Sequence, residues 1–327
     1  MCAQAVKRIA VLTSGGDAPG MNAAVRAVTR TAIDKGYEVL GVMRGYSGLL
    51  NDDLVPFTLR SVSDKIQLGG TFLFSARSLE FQAEDGSGFR KAAETCRKHN
   101  IVGLVVIGGD GSFRGARALC YEGIPTIGIT GTIDNDITSS DHTIGYDTAM
   151  NTAIEMIDKL RDTTESHDRC SVVEVMGRNC GDIALNVGIA AGAVVTLVPE
   201  VKYDMQVDVI DRIKKAQQTG KKHFIVVVAE GVGHTEDIAR IIQKETGIES
   251  RATILGHVQR GGSPTVRDRV LASRCGYKAV QLIDEGKSNR VVVVRGDKIV
   301  DLDITEALDM PRTFDYELYE ASKVLSN

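Results

Sequence analysis

The 327 residues carry a formal net charge of -4, with 43% hydrophobic and 25% charged side chains, the proportions of an ordinary globular protein and not of a disordered one. The basic residues are spread along the chain and leave no electrostatic footprint for a nucleic acid, and no apolar run approaches the roughly 18 residues of a membrane helix. Six cysteines, Cys2, Cys96, Cys120, Cys170, Cys180 and Cys275, form no CxxC or Cys/His cluster, so unpaired thiols are expected and a zinc site is not.

The N-terminal MCAQAVKRIAVL lacks the apolar core and cleavage site of a signal peptide, and a cytoplasmic location is expected. Ile9 to Leu12 reads as a first strand. It ends in Thr13-Ser14-Gly15-Gly16-Asp17-Ala18-Pro19-Gly20, and Met21 to Ile33 then carries Ala24, Val25, Val28 and Ile33 at helical spacing. Val39 to Val42, Leu104 to Ile107, Pro125 to Ile129, Val172 to Val175, Val194 to Val198, Phe224 to Ala229 and Val291 to Val294 read as further buried strands. Helical patterns fall between them at Thr148 to Arg161, Val207 to Thr219, Glu236 to Glu245 and Arg267 to Glu285. Such alternation predicts an α/β protein with largely parallel sheets, and the length predicts two domains. The loop-like TSSDHTIGYD after Asp136 is the candidate boundary near the middle.

Two loops stand out from this scaffold. Leu104 to Ile107 breaks into Gly108-Gly109-Asp110-Gly111-Ser112 and a helix start, repeating the strand, Gly-Gly-Asp, helix design of the first loop. The motif lacks the lysine of a P-loop, and Arg114 sits where the last glycine of GxGxxG belongs. It is either a tight strand-to-helix turn or a phosphate cradle at a helix N-terminus. In the second case Asp110 calls for a cation between itself and the phosphate, and magnesium with one carboxylate and phosphate oxygens supplies it. The second loop, Thr132-Ile133-Asp134-Asn135-Asp136, follows a buried strand. Asp134 reads as a general base toward a hydroxyl. Asp136 reads equally as an Asx turn. Gly286-Lys287-Ser288 reads as a helix C-cap, since Gln281 occupies the first glycine position of a P-loop.

Cations for a moving phosphoryl group come from separate segments: Arg77 after Gly69-Gly70-Thr71, Arg169 and Arg178 on either side of one strand, and Arg251, His257 and Arg260 in RATILGHVQRGGSP. Glu230 ends the strand FIVVVAEG, where an exposed acid can accept sugar hydroxyls. Glycine cradle, metal carboxylate, base and cations are the parts of a phosphoryl-transfer site.

LTSGGDAPGMNAA, GGTFLFSAR, VVIGGDGS, GTIDND, SVVEVMGR and LGHVQRGGSP together resemble the signatures of the ATP-dependent 6-phosphofructokinases of bacterial type, in that family's order and along essentially the whole chain. The resemblance implies two three-layer α/β/α domains with mainly parallel sheets. Residues 1-146 plus about 258-309 would bind ATP, and 147-257 plus about 310-327 would bind fructose 6-phosphate. Gly16, Arg77, Ser78, Gly109, Asp110, Gly111 and Ser112 would hold ATP, with Asp110 on Mg2+ and with Tyr46 and Phe81 near the nucleotide. Asp134 would take the proton of the sugar's 1-hydroxyl, with Thr132, Arg178, Arg77 and Gly16 around the transferring group and Asp136 supporting the loop or the metal. Ile133, Met176, Gly177, Glu230, His257, Val258, Gln259 and Arg260 would complete the sugar-phosphate site. Arg169 and Arg251 would reach into a neighbouring subunit of a homotetramer.

Two features bear on variation within that family. Pyrophosphate-dependent relatives, the alternative reading, carry Asp at the position of Gly111 and Lys at that of Gly131, so glycine at both predicts ATP as donor. Arg26, Arg30, Arg60, Arg161, Lys221, Lys222 and His223 match an effector site for ADP or phosphoenolpyruvate, whereas Val194 and Thr219 replace an acid and a basic residue of that site.

Overall fold

The computed structural model describes residues 6–76 and 78–326. In chain order its strands are β1 (Arg8–Thr13), β2 (Glu38–Val42), β3 (Leu54–Phe57), β4 (Ile101–Gly108), β5 (Thr126–Thr130), β6 (Cys170–Val175), β7 (Val195–Leu197), β8 (Phe224–Ala229), β9 (Ser250–Ile254), β10 (Arg290–Arg295) and β11 (Lys298–Asp303). They form a seven-stranded sheet in the order β11-β10-β5-β4-β1-β2-β3 and a four-stranded sheet in the order β7-β8-β6-β9. The described residues divide into two compact units, one drawn from Met1–Ile133, Ile137–Asp147 and Arg260–Pro311, the other from Asp134–Asp136, Thr148–Gln259 and Arg312–Asn327. Each unit holds one of the sheets.

In the first unit β10, β5, β4, β1 and β2 run parallel, and antiparallel β11 and β3 close the two edges. The central strands β1, β4 and β5 are buried almost throughout, which is why helix-covered parallel strands read as continuous apolar runs. Phe113, on the helix Asp110–Tyr121, is fully buried. Its ring lies over Gly128 of β5, where a side chain's Cβ would come within 2.8 Å. Burying such a ring is worth about 1.5–3 kcal/mol, so the helix that starts at the GGDGS turn is pinned to the sheet one turn into its length.

In the second unit β7, β8, β6 and β9 are all parallel, over a core that includes Val172, Phe224, Val226, Val228, Ile238 and Ile242. The single helix expected from Val207 to Thr219 is a π-helical turn, Met205–Ile210, that runs into an α-helix, Asp211–Gln218. Asp204 accepts the Val207 amide at 2.9 Å and caps that turn. The helix Val266–Asp284 ends before Gly286, which adopts a positive φ of 73°, so GKS terminates a helix here. Among the described residues no helix is long and apolar enough to cross a membrane. Cys96, Cys120, Cys170, Cys180 and Cys275 are unpaired, and burial pushes the thiols of Cys96, Cys170, Cys180 and Cys275 up to about 12. Cys2 and Arg77 lie outside the described residues.

Candidate active site

The candidate loops of the first unit are built mainly from backbone. β4 and β5 are parallel neighbours with Gly108 opposite Thr130, and the Gly131 amide donates to the Gly108 carbonyl at 2.9 Å. The GGDGS turn and the start of the TIDND loop therefore leave adjacent strand ends, the edge at which open parallel sheets take ligands. The strand runs into the helix through a single residue, Gly109, and Asp110 begins the first turn. The Ser112 amide donates to the Gly109 carbonyl at 2.9 Å and tightens that turn. Among the described residues no atom lies within 4 Å of the place where a side chain at Gly111 would begin, and at Gly109 the nearest is Ile137 Cδ1 at 3.8 Å. This open approach to a helix start, with one carboxylate on it, suits a phosphate chain and a hard cation held by one protein oxygen. Among the described residues no group of three or more His, Cys, Asp or Glu converges into a metal cage.

The open face is braced from beneath. Tyr46 and Phe81, expected near the nucleotide, are buried and stacked with ring centroids 4.0 Å apart, and the Tyr46 hydroxyl donates to the Ser112 carbonyl. Gly115 fits over them because a Cβ there would fall 2.8 Å from the Tyr46 ring. Burial alone raises the Tyr46 phenol well above its ordinary range, so it stays a neutral donor. Ser78 accepts the Phe81 amide at 3.1 Å and shapes the turn that delivers that ring. Gly16 sits against Arg260, whose Nη1 would be 2.6 Å from a Cβ at that position and donates to the Asp17 carbonyl at 3.2 Å. A side chain at Gly131 would meet Ile107 Cγ2 at 3.0 Å and Met21 Cε at 3.2 Å, so space is tight there and free at Gly111. Thr132 is buried, with its amide on the Ile144 carbonyl at 3.1 Å and its carbonyl accepting Thr143 Oγ1 at 2.6 Å. Ile133 is fully buried.

The candidate loops of the second unit present mainly side chains. Three neighbouring parallel strands, β8, β6 and β9, end together. Ala229 is opposite Val175, the Glu230 amide donates to the Val175 carbonyl at 2.9 Å, and the Leu255 amide donates to the Glu174 carbonyl at 3.1 Å. Glu230, Met176-Gly177-Arg178 and His257-Val258 thus follow three adjacent strand ends, His257 and Val258 within the 3-10 turn Gly256–Arg260. Gln259 is fully buried and its Oε1 accepts the Met176 amide at 2.8 Å, so its side chain braces the β6 end. Asp134 is 5% exposed. Asn135 beside it takes a left-handed φ of 51°, and Asp136 lies 3.4 Å from Arg178 Nη1.

Two of the expected arginines sit elsewhere. Arg169 precedes β6 and Arg251 is the second residue of β9, opposite Ser171, at the amino ends of the strands whose carboxyl ends carry Met176 and His257. Both pair with Glu249, at 2.9 Å and 2.8 Å. Hydrogen bonds from Arg251 and then Arg169 hold the Glu249 carboxyl below the usual carboxylate range.

The expected effector residues fall in both units. Arg26 and Arg30 share a face of the helix Met21–Asp34, where burial and then the charge of Arg30 lower the Arg26 guanidinium, and Arg60 is exposed. Arg161 donates to the Ala191 carbonyl, and Lys221 is lowered by burial and then by Arg161. Lys222 is exposed and His223 half-buried. Val194 lies in the hydrophobic core of its unit. Sequence reading missed Asp182, Glu200 and Arg312, which gather behind the Asn135 loop. Their one signal was Asn179-Cys180-Gly181-Asp182 directly after Met176-Gly177-Arg178.

Parallel sheets with a glycine-lined helix start in one unit, and acids and cations at strand ends in the other, define a two-unit α/β protein of the kind that takes ligands at strand carboxyl ends. Within that class the chain belongs to the phosphofructokinase family, whose model, described as Phosphofructokinase, matches residues 8–283. The chain is similar to the ATP-dependent 6-phosphofructokinase of Clostridium tetani (strain Massachusetts / E88), 56% identical over 98% of this chain and 100% of the relative. That of Clostridium botulinum (strain Hall / ATCC 3502 / NCTC 13319 / Type A) is 55% identical with the same coverage. Among solved structures, the phosphofructokinase from Saccharomyces cerevisiae superposes with a TM-score of 0.89 at 34% identity, over 98% of this chain and 48% of that one. A pyrophosphate-dependent phosphofructokinase from Marinobacter aquaeolei shares the fold, with a TM-score of 0.83 at 22% identity over 95% of this chain and 86% of that one.

Proposed function

We infer that this chain catalyses the ATP-dependent phosphorylation of fructose 6-phosphate at its 1-hydroxyl, giving fructose 1,6-bisphosphate and ADP. The observation that carries the reading is the whole-length likeness, at 56% identity, to a relative named for that activity. The open space at Gly111 supports ATP as donor, since an aspartate there would set a carboxylate against the nucleotide's phosphates.

In this reading Gly16, Ser78 and the Gly109 to Ser112 turn hold the phosphate chain of ATP, and Arg77 joins them. Asp110 would hold Mg2+, which when bound offsets charge on the phosphate oxygens. Asp134 takes the proton of the 1-hydroxyl as the oxygen attacks the terminal phosphorus. Thr132 and Arg178 stabilise the charge on the transferring group, and Asp136 keeps Arg178 oriented. Met176, Gly177, Glu230, His257, Val258 and Arg260 bind the sugar phosphate, with Gln259 behind them. Arg169 and Arg251 serve the site of a neighbouring copy in a homotetramer, a role supported by their place at the far ends of β6 and β9. Arg26, Arg30, Arg60, Arg161, Lys221, Lys222 and His223 supply the charge for an anionic effector, ADP or phosphoenolpyruvate. Activity in the cytoplasm fits the absence of a membrane-crossing helix among the described residues.

A coupled assay of fructose 1,6-bisphosphate formation tests the reading. ATP should support turnover and pyrophosphate should not, and Asp134→Ala should lower kcat by about 10²–10⁴-fold with ATP binding retained. No bisphosphate from ATP overturns it.

A further inference from the structure

Asn135 stands between the two acids of the TIDND loop with a φ of 51°, a conformation that asparagine tolerates and most residues do not. Its side chain does more than permit that turn. Asn135 Nδ2 donates to Asp182 Oδ2 at 3.1 Å. Asp182 is the first residue of the helix Asp182–Ala190, where the amide dipoles favour a carboxylate. Its other oxygen, Oδ1, lies 3.7 Å from Arg312 Nη2. Arg312 in turn reaches Glu200 Oε1 at 3.1 Å and donates to the Asn179 carbonyl at 3.3 Å. Glu200 Oε1 also accepts the Gly181 amide at 2.9 Å.

Arg312, which also donates to Cys180 Sγ, and its partner Glu200 therefore together hold the four consecutive residues Asn179 to Asp182, and through Asp182 the loop that carries Asp134 and Asp136. Those four residues follow Arg178 directly, and Arg178 pairs with Asp136. The two loops that carry the base and its neighbouring cation thus share an anchor behind them, made of partly buried ions and not of strand pairing. Hydrogen-bonded ions of this kind hold geometry well and lose it when one partner goes.

We propose that Asn135, Asp182 and Arg312 form a positioning relay that sets the orientation of Asp134 relative to Arg178. The inference rests on the reading of Asp134 as the base. Asn135 and Asp182 act through their neighbours and touch no reacting atom in this scheme.

The variant that isolates the relay is Asn135→Gly, because glycine keeps the left-handed backbone and removes only the amide. A misplacement of about 1 Å costs on the order of 10²-fold in rate. Asn135→Gly is accordingly expected to lower kcat about 10- to 100-fold, with both KM values within about twofold and the melting temperature unchanged. Asp182→Ala should do the same, Asp182→Asn should recover part of the loss by keeping an acceptor for Asn135, and the double variant Asn135→Gly/Asp182→Ala should be no worse than either single one. Wild-type kcat in Asn135→Gly overturns the proposal, as do additive losses or a loss of kcat matched by a fall in melting temperature. If Asp182→Ala does not fold, Asn135→Gly and Asp182→Asn carry the test alone. Asp134→Ala, assayed in parallel, separates the two claims: an active Asp134→Ala defeats the functional reading, whereas an inactive one beside a normal Asn135→Gly defeats only the relay.

Discussion

The two ends of the β7-β8-β6-β9 sheet are built from the same strands and differ in almost every physical respect. At the carboxyl ends of β6, β8 and β9 the chain turns tightly into Met176-Gly177-Arg178, Glu230 and His257, with Gln259 buried behind them. At the amino ends, Arg169 and Arg251 share one exposed carboxylate, Glu249. The six residues of β6 separate the two sets by about 20 Å. A hexose phosphate is far shorter than that, so no single copy of this unit presents all of these residues to one molecule of substrate. Under the proposed function the difference divides the expected sugar-phosphate residues into two sets, and a shared site between two copies is the arrangement that would bring both sets to one substrate.

The largest effect expected from this contrast is complementation. Arg251→Ala and Glu230→Ala should each lower kcat/KM for fructose 6-phosphate by about 10²-fold, since a lost charge-assisted hydrogen bond is worth about 1.5–3 kcal/mol. Chains of the two variants, unfolded, mixed and refolded together, should recover activity. Sites that combine an intact carboxyl end with an intact neighbouring Arg251 would form in about a quarter of random pairings. Steady-state kinetics of the mixture reads this out, and no recovery in assembled mixtures places Arg251 in the site of its own chain.

How much of this was legible follows from what each element does in the structure. Strands buried on both faces, such as β1, β4, β5 and β8, announce themselves as apolar runs, and the loops after them can be read as strand-end loops. Of the four edge strands only β7, which is largely buried, can be read that way. β3, β9 and β11 carry Pro56, Arg251, Thr253, Lys298 and Asp301 and are partly exposed, so no core demanded the pattern that sequence reading looks for. The helix Ser87–Lys98 was equally silent, because the face it buries is made of small side chains, Ala92, Ala93 and Cys96. In the site, residues set by strand ends were legible and residues set by a tertiary partner were not. The bracing of the Met176 amide by buried Gln259 and the seating of Tyr46 and Phe81 beneath the GGDGS turn are tertiary contacts, and Arg312 reaches Asp182 across a separation that no motif spans.

A middle-sized effect separates the two ends by steric means. Gly177, at the carboxyl end, has a φ of 145°, and a Cβ there would lie 2.4 Å from the Cys180 carbonyl oxygen. Gly247, which leads into the amino end of β9, has a φ of 75° with nothing among the described residues within 4 Å of its Cβ position. Gly177→Ala carries both strain and a backbone collision and should cost about 3 kcal/mol or more. Gly247→Ala carries strain alone and should cost about 1 kcal/mol. Urea unfolding of the two variants measures the gap, and equal costs would remove the claim that the chain turns more tightly at the carboxyl end.

The smallest effect concerns Glu249 and has a defined sign. Its carboxyl is held below the usual range by Arg251 first and Arg169 second, so the folded protein binds this proton less readily than the unfolded chain does. The stabilisation is therefore complete above the unfolded value of about 4.3 and is lost as the pH falls through the lower, folded value. Glu249→Gln should lower the melting temperature by about 1 °C or less at pH 7, as expected for an exposed pair. That difference should shrink below about pH 4.3 and vanish where Glu249 is protonated in both states. A melting-temperature difference between wild type and Glu249→Gln that stays constant from neutral to acid pH would show that Glu249 holds Arg169 and Arg251 by shape alone. One that grows with acid would mean that the carboxyl is raised and that the amino end is organised by something other than this shared ion pair.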